Sequence, residues 1–191
     1  MELKNKYFLA SLLFVVSCSY YSFKGSLPAH IDNVNILPII NNSTEYLVME
    51  VLENEIYDTL LKENVLKLTS LNEAKSRLDI TINSVDDKPY TFSSYDNVAY
   101  ELVDEWRVTI KAKVSWYDLL EDKLIFSNEI SSFGVYSATK SDISDDGIDN
   151  DGDGLTDSED EDEFGLARDS AIKIASKKMS ENIVANIIAT W

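Results

Sequence analysis

Two residue types that carry much enzymatic and metal chemistry are almost missing from this 191-residue chain, which has one cysteine, Cys18, and one histidine, His30. One thiol closes no intrachain disulfide. No Ser/His/Asp set, Cys/His pair or His-rich metal cluster can be assembled either. The sequence also lacks the GxGxxG and GxxxxGKS/T phosphate loops. Basic residues are scarce, 17 Lys and Arg against 34 Asp and Glu for a net charge of −17, and no basic stripe of the kind that tracks nucleic acid is present. Acids are spread so widely that they single out no acid–base pair. The expectation is a protein that is neither an enzyme nor a nucleic-acid binder.

What is present begins at the N-terminus with "MELKNKYFLASLLFVVSCSYYSF". Lys4 and Lys6 precede an apolar stretch from Tyr7 to Val16 that is too short to span a bilayer. Ser17 and Cys18 follow. Residues 1–17 thus have the plan of a signal peptide. "Val15-Val16-Ser17-Cys18" resembles the lipobox of bacterial lipoproteins, in which the Cys thiol receives a covalent lipid and cleavage falls just before it. Acyl chains bury about 0.8 kcal/mol per methylene, so Cys18 would anchor the chain to a membrane without crossing it. Ser19 stands where an Asp would be the inner-membrane retention cue, so the resemblance implies the outer membrane, facing the periplasm. The remaining residues, 18–191, suffice for one domain with a core.

"HIDNVNILPI" alternates Val34 and Ile36 before Pro38 and predicts a short strand. "NNST" is expected to cap a helix over Thr44 to about Asn64, where Val48, Val51, Leu52, Ile56 and Leu60 recur at helical spacing. "RLDITINSV" sets Leu78, Ile80 and Ile82 against Asp79, Thr81 and Asn83, a half-buried strand that "DDKPYTF", with Pro89, is expected to interrupt. The strongest period follows. Trp106, Val108, Ile110, Ala112, Val114 and Trp116 hold successive even positions, with polar residues between them, predicting a long strand with one dry face. "YDLLEDK" then turns the chain into an antiparallel partner at "KLIFSNEI". A last helix is predicted over Leu166–Trp191, with Ala171, Ala175, Met179, Ile183 and Ile187 on its stripe. The expected fold is α+β, a two-layer sandwich of about four mixed strands with two helices on one face, in the order β-α-β-β-β-α. Trp106 and Trp116 are expected in the core and Trp191 at the end of the last helix. Tyr20, Tyr21, Phe23, Tyr90, Phe92, Tyr95 and Tyr100 fall outside regular periodicity and are candidates for a contact surface.

Between the last strand and last helix, residues 141–163 form an acidic loop. Twelve acids fall between Asp142 and Glu163 with no Lys or Arg among them. Asp149, Asp151, Asp153, Gly154 and Asp157 spell D-x-D-x-D-G-x-x-D. Alternate carboxylates around a Gly turn suit a hard cation such as Ca²⁺, which takes six to eight oxygens. Position twelve from Asp149 is Asp160, not the Glu of an EF-hand. The run is more similar to the Asp-rich calcium repeats of thrombospondin type 3 modules, with a weaker copy at Asp142, Ser144, Asp146 and Gly147. The candidate metal ligands are therefore Asp149, Asp151, Asp153, Asp157 and Asp160.

With the lipobox, "YYSFKGSLPAHIDNVNILPIINNSTE", "DNVAYELVDEWRVTIKAKVSWYD", "FGVY" and a helix ending in Trp191, the chain resembles the LPS-assembly lipoprotein family (LptE). That resemblance implies a small lipoprotein that assembles with the outer-membrane β-barrel translocon delivering lipopolysaccharide to the cell surface, and that contacts lipopolysaccharide itself. The acidic loop looks like an insertion into the family plan. Lipopolysaccharide contact in that family is associated with basic residues, and this chain departs from it in showing no evident cluster of them: Arg107, Lys111 and Lys113, on one strand face, are the only candidate patch, and of the family's functional residues only Cys18 is carried over. The alternative from a different class is a periplasm-facing adaptor lipoprotein that binds another envelope protein and carries the calcium-type loop.

Overall fold

The computed structural model describes residues 28, 30–94, 101–138, 154–156, 159 and 165–189. Its elements run β1 (Asn33–Ile36), β2 (Ile40–Asn41), α1 (Leu47–Glu63), β3 (Lys67–Leu68), β4 (Ser76–Ser93), β5 (Leu102–Asp118), β6 (Lys123–Ser137) and α2 (Ala167–Ala189). The strands form one mixed six-stranded sheet, ordered β3-β1-β4-β5-β6, with β2 also pairing with β4. The α+β class and the two helices agree with the sequence. The strand count does not: β2 and β3 are two residues each, too short to leave a period. They bring the order to β-β-α-β-β-β-β-α.

β1 and β2 pair in succession along the same side of β4, both parallel to it, with β3 outside β1. The register slips by one residue between them, from Ile36 opposite Leu78 to Ile40 opposite Thr81. Pro38 lies in this gap, where its missing N–H costs the ladder nothing. β4, β5 and β6 pair antiparallel over nearly their full lengths.

Pro89 does not interrupt β4, contrary to expectation. Pairing with β1 and β2 ends at the Asn42 N–H bond to the Ile82 carbonyl. Beyond it β4 is an edge among the described strands, and the ladder with β5 shifts register between Pro89 and Thr91. An edge strand with an irregularity is where proline is tolerated.

"NNST" does not cap α1 either. The N–H of Ser43 donates to Asn41 Oδ1 to make a local turn, and the helix starts three residues after Thr44 with no side-chain bond from its capping residue, Tyr46. The Leu47 N–H instead reaches the Glu45 carboxylate at 3.4 Å. At the other end Asn64 adopts a left-handed φ of 48° and its N–H closes on the Leu60 carbonyl.

The core lies between the helices and one sheet face. Val48, Leu52, Ile56 and Leu60, four residues apart, are fully buried on α1, while Val51 is half-buried. The even residues of β5 from Val108 to Trp116 are fully buried, as are Ala171, Ala175, Met179, Ile183 and Ile187 on α2. Trp106 is only half-buried, opposite Pro89 on the stretch of β4 that has no described strand on its other side. α2 also buries Ile172, Ile174, Ser176 and Val184, because it touches α1 as well as β5 and β6. Gly134 on β6 lets α2 approach: a Cβ there would sit 2.1 Å from the Ala171 carbonyl oxygen.

Candidate functional surface

Among the described residues no helix lies on the opposite face of the sheet, and β5 sends its odd residues there. Arg107, Thr109, Lys111 and Lys113 project from β5, and the ladder sets Lys88 directly opposite Arg107 and Ser84 opposite Lys111. Two cations facing each other across a ladder repel, at a cost of about 0.2–1 kcal/mol. Asp79 is held by Arg77, whereas Asp86, Glu105 and Glu129 accept from the neutral Ser84, Thr91 and Asn83 and keep their charge; Glu129 stands opposite Lys113 in the β5–β6 ladder. Among the described residues, Lys88, Arg107, Lys111 and Lys113 form no ion pair.

Arg107 is also clamped by aromatics. Its guanidinium lies 5.3 Å from the Tyr90 ring centroid and 5.1 Å from that of Phe133. The two rings are 6.4 Å apart and tilted by 45°. Both remain exposed, at 45% and 42%. The Arg107 Nε is buried without a hydrogen-bond partner among the described residues. Ring faces attract the cation without neutralising it. The result is fixed positive charge flanked by apolar surface, a combination suited to an anionic amphiphile.

Farther along this face, where β1 gives way to β2, a groove of about 240 Å³ opens. Leu37, Pro38 and Ile40 make one wall, and Asp79, Lys113 and Tyr117 line the other. Ile40 is 59% exposed. Arg77 stacks over Tyr117 at 4.6 Å and is bonded to Asp79, so the groove's polar wall is held in place.

A polar network closes the helix side at the end where both helices begin. Arg168 on α2 donates to both Asp87 oxygens on β4, at 2.8 to 3.2 Å, and to Glu45 Oε2 at 2.6 Å. Tyr136 on β6 donates to Asp87 Oδ1 at 2.8 Å. The hydrogen bond to Asp87 raises the Arg168 pKa further, fixing its charge. Burial first, and then the Asp87 bond, pushes the Tyr136 hydroxyl up to about 12. Sequence reading missed this set. Its members are up to 123 residues apart, and none stands out in its local pattern.

Of the site residues expected from sequence, Arg107, Lys111 and Lys113 do share one exposed face, and Lys88 joins them. Tyr90 belongs to that surface, on a strand rather than a loop. Cys18 and the proposed calcium ligands Asp149, Asp151, Asp153, Asp157 and Asp160 lie outside the described residues, as do Tyr20, Tyr21, Phe23, Tyr95, Tyr100 and Trp191. Within the acidic segment Gly154 is described. Its φ of 97° is in the region that favours glycine. No helix among the described residues is long and apolar enough to cross a membrane.

A helix-backed mixed sheet of this kind occurs in solved bacterial proteins. The hypothetical protein CT253 from Chlamydia trachomatis is similar at a TM-score of 0.50 and 12% identity, over 84% of this chain and 97% of that one. Protein XCC0632 from Xanthomonas campestris matches at 0.50 and 10% identity, over 86% and 90%. A minor lipoprotein from Acinetobacter baumannii is looser, at 0.44 and 11% identity over 83% and 93%. At these identities the likeness concerns the fold alone. No protein-family model matches the sequence, and no curated protein matches it.

Proposed function

We propose that this chain is an outer-membrane lipoprotein, lipidated at Cys18 and facing the periplasm, that assembles with a β-barrel translocon and helps deliver lipopolysaccharide to the cell surface. The observation that carries the reading is the sheet face that no described helix covers. Lys88 and Arg107 oppose each other there beside Lys111 and Lys113, none of them in an ion pair among the described residues, with Tyr90 and Phe133 exposed alongside. Phosphates of an anionic glycolipid would relieve the repulsion, and its apolar part would cover the rings. The resemblance to the LPS-assembly lipoprotein family and the lipobox support the same reading. The acidic loop is an accessory, binding Ca²⁺ through Asp149, Asp151, Asp153, Asp157 and Asp160 near a surface where calcium bridges phosphates.

The test is binding of the protein to vesicles with and without lipopolysaccharide. Each surface Lys contributes about 1 kcal/mol toward an anionic membrane. Changing Lys88, Lys111 and Lys113 together to Gln should therefore weaken binding to the lipopolysaccharide vesicles by about 100-fold. A loss smaller than threefold refutes the assignment of the face.

One observation favours a second reading, an adaptor lipoprotein that grips another envelope protein. The groove beside Pro38 pairs exposed apolar side chains with a positioned Lys113 and Asp79, a fit for a polypeptide segment. Purification from detergent-solubilised outer membrane separates the two. A heat-modifiable barrel partner supports the first reading, and a partner with a soluble domain supports the second.

A further inference from the structure

We propose that His30, Asp118 and Glu121 form a binding site for a divalent transition ion of the zinc type, separate from the acidic loop and from the cationic face. The ligand atoms of these three residues lie within 4.8 Å of one another. They come together from 88 residues apart, with His30 ahead of β1, Asp118 as the last residue of β5 and Glu121 in the turn to β6.

Two of the three are held by the turn itself. Asp118 is 5% exposed at its side chain, and its Oδ1 accepts the N–H groups of Leu120 and Glu121 at 2.8 and 3.1 Å. This bonding ties Glu121 back beside Asp118. The next residue, Asp122, has φ +50°, which tightens the reversal. Asp118 Oδ2 is left to face the imidazole, 2.5 Å from His30 Nε2. The chain's single histidine is therefore spent on a nearly buried carboxylate with a second carboxylate in reach.

The donor set selects the ion. One imidazole nitrogen and two carboxylate oxygens suit zinc, at about 2.0–2.2 Å per ligand, whereas Ca²⁺ requires more oxygens than this turn supplies. Zinc would take the place of the shared proton, with Nε2 and Oδ2 parting to roughly 3.3 Å in tetrahedral geometry. His30 can move that far, since its side chain is 37% exposed and it precedes the first strand. Solvent completes the fourth position. The consequence is mechanical: the ion fastens residue 30, twelve residues beyond Cys18, to the β5–β6 turn, so it would fix where the tether leaves the domain.

The experiment is zinc calorimetry on the full mature chain in detergent, with calcium in large excess to occupy the acidic loop. Cobalt absorption serves as a second readout of nitrogen ligation. The parent should take up one Zn²⁺ that calcium does not displace, with a Kd below about 10 μM. His30→Gln should abolish that uptake and the cobalt spectrum. Glu121→Gln, on an exposed turn residue that leaves the Asp118 bonds intact, should weaken it at least tenfold while melting as the parent does without zinc. Zinc uptake unchanged by His30→Gln, uptake displaced by calcium, or no uptake by the parent would each overturn the proposal.

Discussion

Gly134→Ala tests the packing of the two layers at its tightest point. The added Cβ would stand 2.1 Å from the Ala171 oxygen and 2.8 Å from its carbonyl carbon and Cα. Ordinary contact begins near 3.4 Å, so α2 must withdraw by more than 1 Å. All three obstructing atoms are backbone, and no rotamer change relieves them. Two effects compete. Alanine lowers the entropy of the unfolded chain, which stabilises by about 0.4–1 kcal/mol. Overpacking costs about 1–3 kcal/mol, and here a whole helix moves rather than one side chain, so the upper part of that range applies. The net loss should be about 2 kcal/mol, a fall in Tm of about 4–8 °C for a chain of this size. Thermal denaturation followed by far-UV circular dichroism measures it. A further variant guards the interpretation: because the clash is with backbone, adding Ala171→Gly should give no rescue. A Tm equal to or above the parent's would show that α2 does not lie against Gly134 as described.

The remaining predictions concern pH, anchoring and calcium. Tyr136 has its folded-state pKa raised to about 12, so its contribution is complete below the ordinary tyrosine value near 10 and fades as pH rises toward 12. Tyr136→Phe should flatten the alkaline arm of a stability–pH curve in that window. Asp118 behaves oppositely. Burial raises its pKa, but the bonds from His30 and from the Leu120 and Glu121 N–H groups outweigh it and hold the carboxyl below its usual value of 3.8. Its contribution is present above that value and is lost as pH falls below it, so Asp118→Asn should lower stability at neutral pH and blunt the acid arm. Cys18→Ser should abolish incorporation of labelled palmitate and release the protein from membranes; retention of either refutes lipidation there. Asp151→Ala with Asp153→Ala should remove the calcium-dependent heat of the chain in calorimetry, and equal heats in variant and parent would refute the calcium site.

What could be read from sequence follows which contacts are periodic. β5 declares itself because five alternate residues, Val108 to Trp116, face one continuous core, with Trp106 in phase at its margin. α1 does so because its buried residues lie four apart. α2 gave only part of its buried surface, since a helix against a sheet and a second helix hides more than one stripe, and its small Ala and Ser residues contrast weakly with polar neighbours. β2 and β3 are too short for any period. Pro89 was misread because local rules cannot tell an edge from a central strand. The Arg168 network and the His30–Asp118 contact were invisible for another reason: their partners are 81, 88 and 123 residues away, and such separations leave no local mark. The cationic face was half visible. Arg107, Lys111 and Lys113 share a parity within one strand, whereas Lys88 and Phe133 reach them only through the register of their neighbours.

That register turns on one residue. Between Ile82, opposite Ala112, and Ser84, opposite Lys111, β4 carries Asn83 as an extra residue. Up to Ile82 the even residues of β4 point at the core; beyond the bulge the odd ones do, so Val85 faces Ile110 and Asp87 faces Val108. With no bulge in the same sequence, Asp87 would meet Arg107 on the open face and Lys88 would turn inward opposite Trp106. The extra residue therefore places Asp87 under Arg168 and Tyr136, and places Lys88 opposite Arg107. This yields a counterintuitive expectation for a deletion inside a strand. Removing Asn83 leaves Ile82 opposite Ala112 and Ser84 opposite Lys111, so both faces keep their residues in a now regular ladder. The loss is the 3.2 Å bond from Asn83 to Glu129 and some local twist, about 1 kcal/mol for an exposed pair. Thermal melting and lipopolysaccharide-vesicle binding should both stay close to the parent's. A variant that fails to fold would mean that the bend of the bulge, rather than the parity it sets, is what the sheet requires.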